Sequence, residues 1–171
     1  MKDCGIKILA SRIESLKIQH KFDLIILNQV IEHLDNLNSV LKKCHQILDD
    51  DGILFIETPN IGGLDYTIFK KKYWGGYHVP RHWQLFSDEN IGKYLNDFGF
   101  SVQKVVFLCS PSFWNQSFHH MFLDMKFPKW LERTFNYQNP IYIGLFTLID
   151  LARIIAGLET SNMRVTARKV T

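Results

Sequence analysis

The hydrophobic pattern of this chain changes period several times, and each change marks an element. Asp23 to Leu27, inside KFDLIILNQVIEHL, is an almost continuous apolar run. A run of that length, buried on both faces, suits a central strand of a parallel sheet. It stops abruptly at the amides of Asn28 and Gln29. Leu37, Val40, Leu41, Cys44, Ile47 and Leu48 then recur at helical spacing, with Lys42, Lys43 and Gln46 outside. Asp35 to Asn38 supplies the N-cap candidates for that helix. Asp49-Asp50-Asp51-Gly52 reads as a turn and Ile53 to Glu57 as a second apolar strand. Thr58-Pro59-Asn60 ends it, because proline cannot donate to a ladder. Strand, helix and strand of these lengths form a right-handed parallel crossover. Asn28-Gln29 and Thr58 to Asn60 then converge on one sheet edge, at the carboxyl ends of the strands, where open α/β sheets place ligands.

The flanking segments read less sharply. Gly5 to Ala10 alternates and predicts a short strand, with Ser11 to Leu16 as a loop or turn. Residues 61–86 are a long connection carrying Tyr66, Phe69, Tyr73, Trp74, Tyr77, Trp83 and Phe86. Such a link is either functional or disordered, and its aromatics argue against disorder. Ser87 caps a helix with Asp88 and Glu89 in its first turn and Ile91, Tyr94, Leu95 and Phe98 on its buried face. Gly99 stops that helix in the left-handed conformation, and Phe100 to Phe107 starts a strand. Residues 108–140 are aromatic and poorly periodic. Ile141 to Gly157 reads as a helix with Ile141, Leu145, Leu148, Ala152 and Ile155 on one face. Its Asp150 and Arg153 argue against a transmembrane span. Met163 to Lys169 alternates as a last strand, after a turn at Thr160-Ser161-Asn162.

Composition narrows the class. A length of 171 residues suits one domain with a real core, and 46% hydrophobic with 22% charged residues are globular values. The net charge of +3 includes no clustered basic stripe, so nucleic acid is not an expected partner. Lys70-Lys71-Lys72 reads as a solvated loop. Cys4, Cys44 and Cys109 are scattered without a CxxC, which suits a reduced, cytoplasmic chain, and Met1-Lys2-Asp3 leads into no signal-like apolar run. The aromatic content of 13% concentrates after Tyr66.

FDLIILNQVIEHL, DDDGILFIETPN and PRHWQLFSDENIGKYLNDFGF, in that order, resemble class I S-adenosylmethionine-dependent methyltransferases. The nearest group includes ubiquinone-biosynthesis O-methyltransferases and many sugar and natural-product methyltransferases. The resemblance runs from about Cys4 to Phe107, and ETSNMRVTARK is similar to the family's closing strand. It implies a Rossmann-like, mostly parallel sheet with a closing antiparallel strand. Residues 1–171 form a single partial domain on that pattern, with 108–158 as an aromatic, helical insertion or lid. Two family features are missing. The ten glycines include no GxG, where the family has a glycine-rich loop against the cofactor, and the acidic residue that binds the ribose is not found. Residues 1–171 therefore match the C-terminal three quarters of a domain, truncated at its N-terminus. The Asp23–Leu27 strand is then expected to have an unpaired edge, free for the Gly5–Ala10 strand, another chain or self-association. Weak or no S-adenosylmethionine binding is expected from this chain alone.

The resemblance also carries residue roles. Arg12 and Ile13 match the loop that meets the adenine; Asn28, Gln29 and Val30 match the strand end that lines the methionine moiety. His33 is the first catalytic candidate, as acceptor of a substrate proton, since imidazole titrates near neutral pH. Its bland alternative is a satisfied histidine, with Glu32 accepting helix amides. Ubiquinone-type relatives link a Glu-x-x-Glu-His pattern here to a divalent metal. Gln29 stands at its first position, and Glu32 and His33 alone make a poor site, so no metal is expected. His82, in Pro-x-His, is the second catalytic candidate; His78 and His119-His120 read as structural. The aromatic segments allow core packing, a hydrophobic acceptor pocket or a peripheral membrane contact. The functional expectation is methyl transfer to oxygen, nitrogen or carbon of a small or lipid-like acceptor in the intact form. The alternative is a non-catalytic remnant or partner subunit that docks through its open sheet edge.

Overall fold

The computed structural model describes residues 12–135 and 139–170. The Gly5–Ala10 strand expected from the sequence lies outside these residues. The apolar run becomes β1 (Phe22–Asn28), and the amphipathic segment becomes α1 (Leu37–Ile47), capped by Asn36, whose Oδ1 accepts the Ser39 N–H at 3.1 Å. Its buried residues are Leu37, Val40, Leu41, Cys44 and Ile47, the periodic set. β2 spans Leu48–Pro59. Asp49 to Gly52, expected as a turn, falls within that strand as an irregularity. Phe22 pairs with Leu48, yet Leu24 already pairs with Ile53.

Next come α2 (Leu64–Phe69), a 3-10 turn at Gly75–Tyr77, α3 (Asp88–Asp97) and β3 (Phe100–Leu108). Ser87 and Asn90 form a reciprocal capping box at the start of α3. Gly99 ends it at φ 77°, where a Cβ would also stand 2.8 Å from the His45 ring. The stretch expected to be irregular holds two helices, α4 (Pro111–Asp124) and α5 (Lys129–Thr134), followed by α6 (Pro140–Ile155) and β4 (Asn162–Lys169). Among the described residues no helix is long and apolar enough to cross a membrane.

The sheet order is β1-β2-β4-β3. β1 and β2 are parallel, while β4 is antiparallel to both β2 and β3, so three strands share one direction and β4 opposes them. This is the expected mostly parallel α/β sheet, with the antiparallel strand placed inside it. The main core joins Ile25, Leu27, Leu54, Ile56, Val165 and Ala167 to Val40, Leu41, Ile91 and Leu95 of α1 and α3. One expectation fails here. β1 is buried on one face only: Ile25 and Leu27 are covered, but Leu24 and Ile26 are 49% and 56% exposed. No described helix covers that face.

A second core gathers Phe69, Trp74, Trp114 and Phe146 from α2, the segment after it, α4 and α6. Two buried carboxylates fasten it. Asp65 accepts the Trp74 indole N–H at 2.8 Å and the Ser161 hydroxyl, tying α2 to the start of β4. Asp150 accepts the Ser110 N–H at 2.7 Å and the Trp114 indole N–H at 3.0 Å, tying α6 to the exit of β3. Each buried indole thus finds the partner it needs.

Candidate active site at the carboxyl end of the parallel strands

The end of β1 is bent by its own backbone. Gln29 sits at φ 50°, a left-handed conformation that a non-glycine residue adopts only when its surroundings hold it there. Its N–H donates to the Glu57 carbonyl at 2.8 Å, and its side-chain Nε2 donates to Asn162 Oδ1 at 3.1 Å. Arg164 donates to Glu57 Oε2 at 3.0 Å, which completes a polar network across β1, β2 and β4. The bend turns the chain through Val30 into a 3-10 turn, Ile31–His33.

Beside this bend lies a cleft of about 250 Å³ lined by Arg12, Ile13, Glu14, Leu27, Val30, Leu34 and Val40. Its wall is mainly aliphatic. The Arg12 guanidinium donates to Asp35 at 3.1 Å. Arg12, Ile13 and Val30, three of the five residues matched to the cofactor loop and strand end, thus share one cleft. Asn28 and Gln29 do not line it; Gln29 is turned toward Asn162.

The two catalytic candidates meet across the chain. Trp83 N–H donates to the Glu32 carbonyl at 2.8 Å, and Gln84 Nε2 to the Leu34 carbonyl at 3.2 Å, so residues 81–84 run alongside the 3-10 turn. His33 and His82 pack edge to face with centroids 4.7 Å apart, and His78 contacts His82 at 5.2 Å. His33 Nδ1 lies 3.0 Å from the Arg81 carbonyl and His82 Nδ1 2.7 Å from the Gly76 carbonyl. A carbonyl only accepts, so each Nδ1 carries the proton. In the neutral ring each Nε2 is then a bare lone pair. Burial pushes the His82 pKa down, partly offset by its bond to Gly76.

Glu32 is buried behind them. Thr58 Oγ1 donates to its Oε2 at 3.0 Å, while Oε1 has no hydrogen-bond partner and lies 3.7 Å from His33 Nε2. Burial raises the Glu32 pKa, against the lowering effect of its backbone bond, Thr58 and His33. The ligand atoms of Glu32, His33 and His82 all lie within 4.8 Å of one another, so these three are the described residues that could hold a divalent ion. The sequence pattern had offered only two of them.

The expected convergence of strand ends is half realised. Thr58 reaches Glu32, but Asn60 turns away and donates to Glu159 at 3.0 Å and to the Thr160 carbonyl at 2.8 Å, bracing the turn before β4. Sequence reasoning missed Asn162 and Glu57, which organise the strand end from β4 and β2. Glu57 carries a sequence signal, a carboxylate in line with Ile53 and Phe55 on one face of β2, whereas Asn162 carries none, since Arg164, Thr166 and Arg168 make its whole face of β4 polar.

Comparison with known proteins identifies the family and the fold. A family model described as a methyltransferase domain matches residues 6–105. The mitochondrial ubiquinone biosynthesis O-methyltransferase of Bos taurus is 36% identical over 90 residues, 50% of this chain and 24% of that protein. The ubiquinone biosynthesis O-methyltransferase of Glaesserella parasuis serovar 5 (strain SH0165) is 45% identical over 48 residues, 28% of this chain and 20% of that one. The match thus spans about a quarter or less of the length of these curated relatives. A crystal structure of a SAM-dependent methyltransferase from Thermotoga maritima superposes with a TM-score of 0.56 at 14% identity, covering 96% of this chain and 64% of that one. That likeness shows a shared Rossmann-like fold. With more than half of its length matched by the family model, and with that fold beneath it, this chain belongs to the class I S-adenosylmethionine-dependent methyltransferase family.

Proposed function

We propose that this chain takes part in S-adenosylmethionine-dependent methyl transfer to a small or lipid-like molecule, and that it supplies one wall of the methyl-donor site. The observation that carries this reading is the shared cleft of Arg12, Ile13 and Val30 at the end of β1. S-adenosylmethionine, when bound, supplies an electrophilic methyl group on sulfur. Ile13, Leu27 and Val30 offer the aliphatic surface an adenine plane needs. His82, neutral at physiological pH and bare at Nε2, takes the proton of the acceptor group, and His33 packs against it as orienter or alternate base. The rest of the rate comes from holding acceptor and donor in line, which contributes more than proton transfer alone.

The cleft is smaller than the roughly 300–1,000 Å³ typical of small-molecule pockets. It also lies beside a strand with one edge unpaired among the described residues. Binding by this chain alone is therefore weak. Isothermal titration with S-adenosylmethionine is expected to give a dissociation constant between about 10 μM and 1 mM, roughly −7 to −4 kcal/mol. A value near 1 μM would contradict the incomplete site. No binding at millimolar cofactor would contradict the donor-site reading itself.

A second reading is favoured by β1. Among the described residues this strand pairs only with β2, and it exposes Leu24 and Ile26. An unpaired edge with apolar side chains is a template for another strand. On this reading the chain is a non-catalytic subunit that docks, or self-associates, through that edge.

A further inference from the structure

Helix α6 presents an apolar stripe to solvent. Ile141, Leu148 and Ile155 are 75%, 65% and 85% exposed, and Leu145 and Leu151 are exposed between them. Spaced by three and four residues, they run the length of a 16-residue helix, about 24 Å. No charge interrupts them. Asp150 is buried, and Arg153 is turned to the Glu159 carbonyl at 2.9 Å.

At the N-terminal end of α6 the surface changes character. The Phe135 and Tyr142 rings pack at a tilt with centroids 4.2 Å apart, and Phe122 contacts both Phe135 and Phe127, which places the α4–α5 connection beside the start of α6. That connection exposes Leu123, Met125, Phe127 and Trp130. Lys126, Lys129 and Arg133 are exposed among them. Lys72 Nζ bonds to Asp124 at 2.7 Å, which brings the Lys70-Lys71-Lys72 run to the same place. Lys126, Lys129 and Arg133 thus join the Lys70–Lys72 run, in which Lys72 is paired with Asp124.

We propose that the outer face of α6, with the Leu123–Trp130 segment at its N-terminal end, docks on an anionic lipid bilayer and lies in its interface without crossing it. Apolar side chains on one helix face, a tryptophan and a cluster of lysines are the combination that an anionic headgroup layer rewards. A second copy of the chain fits less well, because a self-complementary contact brings the same groups from both sides and no anion for these cations. The inference goes beyond methyl transfer and holds whichever reading of the site is correct.

Vesicle flotation of the full chain tests it. Vesicles containing phosphatidylglycerol should carry at least about tenfold more protein than pure phosphatidylcholine vesicles at low salt, with the gap narrowing as salt rises. Leu148→Glu with Ile155→Glu should lose at least about tenfold of that binding with an unchanged circular dichroism spectrum, since both positions face solvent. Lys126→Gln with Lys129→Gln should weaken only the anionic preference. In the unsubstituted protein, brominated phosphatidylglycerol should quench tryptophan fluorescence, and Trp130→Phe should remove much of the quenching. This readout depends on no apolar-to-charged variant. The proposal is overturned by equal recovery from both vesicle types, by full binding of the Leu148→Glu, Ile155→Glu variant, or by absence of quenching. A solution mass that halves in that variant without any vesicle binding would assign the stripe to a second copy instead.

Discussion

Asp150 shows how single residues set the behaviour of this molecule. Its carboxylate holds the Ser110 N–H and the Trp114 indole in a buried site. Burial raises its pKa above the ordinary 3.8, and the two hydrogen bonds oppose the rise only in part. The folded state therefore holds this proton more tightly than the unfolded chain. Its contribution to stability falls as pH rises from about 3.8 through the raised folded value. Asp150→Asn loses one acceptor and should cost about 1–3 kcal/mol. That cost should shrink from pH 4.5 toward pH 7 in urea denaturation. A cost that grows across this interval would contradict the assignment. Asp65, raised by burial and held by Ser161 and Trp74, follows the same logic. At the site, His33 and His82 were both legible as candidates from residue type and motif. Their ring contact was not, because it depends on hydrogen bonds from residues 83 and 84 to residues 32 and 34, which no periodicity encodes.

Elements differ in how far their sequence foretells them. α1 and α3 carry one apolar stripe each and bury the residues their spacing names. α4 was not legible. It packs against α2, the Gly75–Tyr77 turn, α5 and α6, so its apolar residues surround it instead of forming a stripe. α6 was legible as a helix, but the face shared by Ile141, Leu145, Leu148 and Ile155 is the outer one. Phe146 and Asp150 face inward. β1 gives a test at this scale. Ile25→Ala should cost about 2–5 kcal/mol, since Ile25 lies in the main core. Leu24→Ala, one residue away on the uncovered face, should cost less than about 0.5 kcal/mol. Thermal unfolding of both variants measures the contrast. Equal costs would mean that Leu24 is covered in solution.

For the whole molecule, the edge of β1 that is unpaired among the described residues is the dominant structural fact. Among the described residues β1 and β3 are the two edges of the sheet, and β1 is the edge that exposes Leu24 and Ile26. Such an edge recruits another strand unless something blocks it. Sedimentation equilibrium of the purified chain should show association that strengthens with concentration and is suppressed by Ile26→Lys. A monomer at every concentration would argue against docking through this edge. Leu27 of the same strand lines the proposed donor cleft, so association through the edge is expected to change cofactor affinity. Family and fold were readable from three matched segments in order; the one-sided burial of β1 was not, because a run of apolar residues does not say which of its faces is covered.

The central claim is that the end of β1 is a donor-binding wall. The most direct test is a titration of the isotopically labelled chain with S-adenosylhomocysteine, followed by backbone and methyl NMR shifts. The account predicts saturable shifts at Ile13, Leu27, Val30 and Leu34, the residues of one cleft, with those of α6 unmoved. Shifts confined to another surface, or none at millimolar ligand, would contradict it.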